Sequence, residues 1–142
     1  MHAHGHFDVK VVPQTPDNEP AKASGLMRLS LDKQFHGALD GASRGEMLAT
    51  RDATQKNGAY VALESFSGTL DGHSGGFALV HRALMRDGES QEWTVAVVPG
   101  SGSGALAGRS GSAIPRAPGT FAARPPDRPV GRWHHHTSAM PR

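Results

Sequence analysis

The chain reads as all-β, a small antiparallel meander curled into a β-barrel. Three observations carry this reading. Apolar and polar residues alternate with a period of two over much of residues 7–97, as they do on half-buried strands. A G-x-L-x-G-x-S pattern occurs three times, as GALDGASRG at 37–45, GTLDGHSGG at 68–76 and GALAGRSGS at 104–112, a spacing that fits one strand–turn–strand unit per copy. The one stretch with helical character, Gly45 to Thr50, is too short to nucleate a helix by itself and is flanked by glycine.

Each element follows from the same pattern. Phe7, Val9 and Val11 predict a first strand. Met27, Leu29, Leu31 and Phe35 alternate with Arg28, Ser30, Asp32 and Gln34 in a second. The segment GEMLA after the first repeat gives a third, and Tyr60 to Leu70 a long central one. Phe77, Leu79, Ala83 and Met85 form the apolar face of a strand whose other face carries Arg82 and Arg86; Trp93, Val95 and Val97 form the next. In each repeat the Leu ends a strand and the following glycine supplies the positive φ of a tight hairpin, with Asp or Ser bonding back to the turn. Successive copies then set the same turn at the same end of the sheet.

Composition bounds the chemistry. The 142 residues include 18 Gly, 10 Pro and no Cys, so disulfides, thiolate metal sites and cysteine nucleophiles are excluded, and a cytoplasmic protein is expected. No targeting segment and no apolar run long enough for a spanning helix is read. Net charge divides unevenly: residues 1–112 carry 10 Lys/Arg against 12 Asp/Glu, whereas residues 113–142 carry 5 Arg against Asp127 alone and hold six of the ten prolines. Residues 1–112 are therefore expected to be the β-barrel domain, and residues 113–142 an Arg/Pro-rich tail that is disordered or translated out of frame. Copies one and two of the repeat are followed by strands, but copy three is followed by Ala113, Ile114, Pro115 and Pro118, which leaves the barrel incomplete at its C-terminal strands. Exposed sheet edges would then favour a homo-oligomer.

Phase along the strands selects the interior. Taking Phe77, Leu79 and His81 as inward and aligning the first two repeats maps Glu46, Leu48 and Thr50 onto them. Likewise, Leu29, Leu31, Lys33, Phe35 and Leu39 map onto Tyr60, Ala62, Glu64, Phe66 and Leu70. Lys33, Glu46, Glu64 and His81 are thus expected inside, with Tyr60 on the same face. With Leu70 opposite Phe77, Glu64 opposes Ala83 and lies diagonal to His81.

The stretches MHAHGHFDVK, LSLDKQFHGALDG, GEMLA, GAYVALESFSGTLDGHSGGFALVHRALM and VVPGSGSGALAGRSGS together resemble a family of small bacterial proteins, the domain-of-unknown-function family DUF3224. The resemblance covers residues 1–112 and implies an allene-oxide-cyclase-like barrel; it brings no established reaction. Lys33, Glu46, Tyr60, Glu64 and His81 match recurrent polar and aromatic positions of the family. After Ser112 the chain departs from the family pattern, which continues with further strands.

Two function classes stand. The preferred one is a module that binds a small apolar molecule through Lys33, Glu46, Tyr60, Glu64 and His81, or a structural oligomer, since small barrels hold one apolar ligand. The alternative is an isomerase- or cyclase-like enzyme in which Glu64 or His81 moves a proton and Lys33 stabilises negative charge. A self-neutralising polar network is the bland explanation of the same residues. The glycines of WTVAVVPGSGSGALAG are expected in a hairpin loop, because Gly108, Gly111 and Pro115 exclude the helix a dinucleotide site needs. His2, His4 and His6 share one strand face but have no matching carboxylate or thiolate, so no metal and no other cofactor is expected. The tail lacks the lysine clusters and interleaved aromatics of a nucleic-acid arm, and neither nucleic acid nor membrane is expected as a partner.

Overall fold

The computed structural model describes residues 3–108, 112–114 and 120–124. Its elements in order are β1 (Ala3–Gln14), α1 (Glu19–Ser24), β2 (Met27–Gly37), β3 (Leu39–Arg51), β4 (Gly58–Leu70), β5 (His73–Arg86), β6 (Glu89–Val97), β7 (Ser103–Gly104), β8 (Ser112–Ile114) and β9 (Thr120–Arg124). The strands β1 to β6 form an antiparallel meander in which each pairs with the next. The six expected strands are all present. Gly45–Thr50 is strand, with Met47 and Ala49 buried and Glu46, Leu48 and Thr50 exposed in strict alternation, and the helical alternative is not realised.

The sheet curls around its core without closing into a continuous barrel. β9 pairs with β1 and β8 with β9, but the contact from β6 to β8 is a single pair, Ala96 with Ser112. Residues 112–114 and 120–124 therefore take strand backbone beyond the point where the repeat loses its pattern. The expectation of a disordered or out-of-frame tail covers residues 113–142, of which 115–119 and 125–142 lie outside the described residues.

Turn chemistry sets the register. Asp71 and Gly72 have φ of 49° and 79°, the two positive values that a two-residue type I′ hairpin demands, and Leu70 pairs with His73. Asp87 and Gly88 repeat this between β5 and β6, with φ of 53° and 81°. The first turn differs. Phe35 pairs with Gly41, so that reversal is centred on one residue, Ala38, where the second is centred between two. Phase is thus preserved from β2 to β3 but inverted from β4 to β5. Inward residues of β3 are Leu39, Ser43, Met47 and Ala49, and the expectation that Glu46, Leu48 and Thr50 face inward is overturned.

One helix went unread in the sequence. Asn18 caps α1 by accepting a 2.9 Å hydrogen bond from the Ala21 amide, Pro20 sits in its first turn and Gly25 ends it at φ 67°. It buries no residue and serves as the link from β1 to β2.

Two apolar clusters fill the interior. Phe7, Phe35, Leu39, Phe66, Phe77, Leu79, Val95 and Leu106 make the first; Leu29, Leu31, Met47, Ala49 and Ala62 make the second. The leucines of all three repeats, Leu39, Leu70 and Leu106, meet at the first cluster. The repeat therefore does place equivalent turns at one end of the sheet, and its leucines cap that end of the core. Among the described residues no helix is long and apolar enough to cross a membrane.

Candidate functional site

Odd-numbered residues of β2 point inward, and the series Leu29, Leu31, Lys33, Phe35 carries one cation into the core. Even-numbered residues of β4 do the same with Ala62, Glu64, Phe66, and odd-numbered residues of β5 with Leu79, His81, Ala83. Lys33, Glu64 and His81 are 4%, 2% and 2% exposed, where ionisable groups persist only if paired. Lys33 Nζ donates to Glu64 Oε2 at 2.8 Å, and His81 Nε2 lies 2.8 Å from the same oxygen.

The register explains how they meet. Lys33 pairs with Ser43 on β3, and Ser43 pairs with Phe66 on β4, so the lysine reaches over a whole strand to Glu64. The inward residues of β3 flanking Ser43 are Gly41 and Gly45. A Cβ at Gly45 would collide with the Leu63 carbonyl oxygen and stand 2.7 Å from Glu64 Cα, so glycine there permits β3 and β4 to approach. Glu64 pairs with Leu79 and Ala62 with His81, which makes Glu64 and His81 diagonal neighbours. The expected opposition of Glu64 to Ala83 is corrected by four residues, because the hairpin loop is Asp71-Gly72 and not the longer loop ending at Gly76. The diagonal to His81 survives that shift.

Electrostatics define one protonation state. Burial pushes the Glu64 carboxyl up, but the His81 contact and the Lys33 ammonium outweigh it and hold its pKa at about 2. Burial holds the His81 imidazole below its ordinary 6.5, against the pull of Glu64 and with the help of Lys33. Lys33 is also held below 10.5 by burial, opposed by Glu64. The interior thus carries a charged Lys33–Glu64 pair and a neutral His81. Facing a carboxylate, Nε2 carries the imidazole proton, since a bare lone pair there would be repelled. The Lys33 ammonium also lies 5.1 Å from the centre of the Phe7 ring.

Tyr60 approaches from the second cluster. Its ring meets His81 edge to face at 5.6 Å, and burial raises its phenol pKa while the nearby Trp93 indole pulls the other way. Glu46, the fifth expected residue, faces solvent on β3 and accepts a 2.7 Å hydrogen bond from Arg28 Nε. It takes no part in the interior network, for the turn-phase reason given above.

Two further features escaped the sequence reading. Ser43 is fully buried beside Lys33, which its inward phase on β3 decides. On the opposite face, β3, β4 and β5 form an open groove of about 320 Å³ lined by Leu26, Leu48, Val61, Arg82, Leu84 and Glu92 among others. Of the expected site residues only Tyr60 lines it. At the N-terminus, His6 stacks on His36 at 5.1 Å, and His36 lies 3.5 Å from Asp8. The side chains of His2 and His4 lie outside the described residues, and among the described residues no group of three or more metal-ligating side chains forms.

Comparison with known proteins agrees with this architecture. A crystal structure of a protein of unknown function from the DUF3224 family of Shewanella oneidensis MR-1 is similar with a TM-score of 0.74 and 36% identity, covering 87% of this chain and 92% of that one. No curated protein matches the chain. The model of the family described as "Protein of unknown function (DUF3224)" matches residues 3–119, which extends past Ser112 to include β8. With a family model matching most of its length and a crystallographic relative sharing its curled sheet, the chain belongs to the DUF3224 family.

Proposed function

We propose that this protein is a binding module whose ligand is a small, largely apolar molecule held in the outward groove of β3, β4 and β5. The observation that carries this reading is the groove itself. Its volume of about 320 Å³ is that of a small-ligand site, and Leu48, Val61 and Leu84 stand 44%, 47% and 42% exposed along it. Thr50, Arg82 and Glu92 supply a few polar groups at its walls, enough to orient a ligand. The interior network lies on the other side of the same strands, where it is closed in by the two apolar clusters, and its role in this reading is to shape the sheet beneath the groove.

The test is titration with the neutral fluorophore N-phenyl-1-naphthylamine, following its emission. Val61→Glu and Leu48→Lys place a charge in the groove at exposed positions and are expected to keep the fold while weakening binding by about tenfold or more, some 1.4 kcal/mol. Absence of binding by the wild type, or equal binding by both variants, would overturn the proposal.

A second reading, an isomerase- or cyclase-like enzyme, draws on the 2.8 Å contact between His81 and Glu64, which orients a neutral imidazole for proton transfer. It requires substrate to reach His81. Carbethoxylation by diethylpyrocarbonate separates the readings: His81 reacting as fast as the exposed His73 favours catalysis, and His81 protected in the native state favours the closed network.

A further inference from the structure

Glu64 Oε2 receives both Lys33 and His81, which leaves its other oxygen to be accounted for. Among the described residues, neither Glu64 Oε1 nor Ser43 Oγ has a hydrogen-bond partner, although Glu64 is 2% exposed and Ser43 is 0% exposed. Buried polar atoms in folded proteins are satisfied almost without exception, so a pair of them in one place marks a guest. These two are in one place. Gly45 pairs with Glu64 and Ser43 with Phe66, so Ser43 and Glu64 are diagonal neighbours across the β3–β4 ladder, on the side away from His81. Ser43 also stands directly opposite Lys33.

We propose that Ser43 Oγ, Glu64 Oε1 and Lys33 Nζ form an internal binding site for one neutral, water-sized hydrogen-bonding molecule, and that its occupant is water. The inward residues of β3 between Leu39 and Met47, which are Gly41, Ser43 and Gly45, are all small. Neutrality follows from the charges already present, because Lys33 and Glu64 compensate each other and a charged guest would leave an unpaired charge in the core. The donor and acceptor inventory fits water. Glu64 Oε1 accepts one of its protons, Lys33 has two ammonium protons beyond the one given to Oε2, and the Ser43 hydroxyl turns to donate or accept. Three partners is the usual complement of a buried water.

The site lies on the interior face and stands or falls apart from the groove. High-resolution crystal structures of the wild type and of Ser43→Val are the primary test. An ordered density peak within hydrogen-bonding distance of Ser43 Oγ and Glu64 Oε1 is expected in the wild type and is expected to vanish in Ser43→Val. A direct hydrogen bond from Ser43 to Glu64 with no peak between them overturns the proposal, as does a peak unchanged in the variant. Should the valine prevent folding, water-to-protein Overhauser transfer in the wild type decides: a cross-peak from long-lived water to the Ser43 amide supports the site, and its absence rejects it.

Discussion

His81 Nε2 lies 2.8 Å from Glu64 Oε2 along a diagonal of the β4–β5 ladder, although neither residue is the other's pairing partner. Lys33 shares that oxygen from two strands away, so a single carboxylate oxygen ties β2, β4 and β5 together inside the core. The arrangement separates the interior into its two apolar clusters, with aromatic rings and the repeat leucines on one side and Leu29, Leu31 and Met47 on the other. Four consequences are open to measurement.

Removing one member of the pair strands the other. Lys33→Met leaves Glu64 charged and buried, and a loss of about 3–5 kcal/mol in urea unfolding is expected. The double variant Lys33→Met/Glu64→Gln removes both charges and is expected to recover much of that loss. Additive losses in the double variant would contradict a coupled pair.

Stability is expected to rise with pH across the acid range. Glu64 titrates at about 2 in the fold against an ordinary 4.5, so the unfolded chain takes up the proton first, and the carboxylate's contribution, full above 4.5, is lost as pH falls toward 2. His81 has the same sign, because its folded pKa lies below 6.5: stability is full above 6.5 and declines as pH drops below it. Lys33, lowered from 10.5, also leaves the unfolded chain with the larger proton count. The urea midpoint of the wild type should fall between pH values above 6.5 and about 5, and that of His81→Gln should change less. A ring titration of His81 by NMR checks the direction itself.

Gly45→Ala tests the close approach of β3 and β4. The added carbon meets the Leu63 carbonyl and Glu64 Cα, backbone atoms that yield only if the strands part, and destabilisation of about 1–3 kcal/mol or more is expected. Because Gly45 pairs with Glu64, the same substitution should speed hydrogen exchange of the central β4 amides.

Leu106→Ala measures how far the third repeat belongs to the core. Leu106 is 0% exposed and a cost of about 2–5 kcal/mol is expected, whereas Leu63→Ala, at 59% exposure on the outer face, should stay within about 0.5 kcal/mol. A small effect at Leu106 would make the third repeat a surface appendage.

Much of this molecule was legible in the chain. Period-two alternation located β1 to β6, because a residue on a curled sheet has only two faces to choose between. The repeat aligned Lys33 with Glu64 as inward equivalents, and those two side chains are the buried ion pair. Asp71-Gly72 and Asp87-Gly88 are dipeptides suited to two successive positive φ values, yet the repeat pattern draws the first of these loops out to Gly76 and leaves the second unmarked. The capping signals of α1, Asn18, Pro20 and Gly25, were equally present but lie in a segment with no apolar face to attract notice.

Phase between strands was another matter. Extending the repeat past its turn puts Glu46 inward, yet the first reversal centres on Ala38 and the second between Asp71 and Gly72. Half a residue of difference at the turn exchanges every inward and outward side chain of the strand that follows. The groove on the outer face and the isolation of Ser43 and Glu64 Oε1 depend on which strands lie side by side. By itself, the sequence determined the strands and three of the four ionisable residues it put inside, Lys33, Glu64 and His81, all set by local alternation. Tertiary structure alone decided which faces those charges share, because side-chain facing is inherited through turn geometry and cross-strand pairing between residues far apart in the chain.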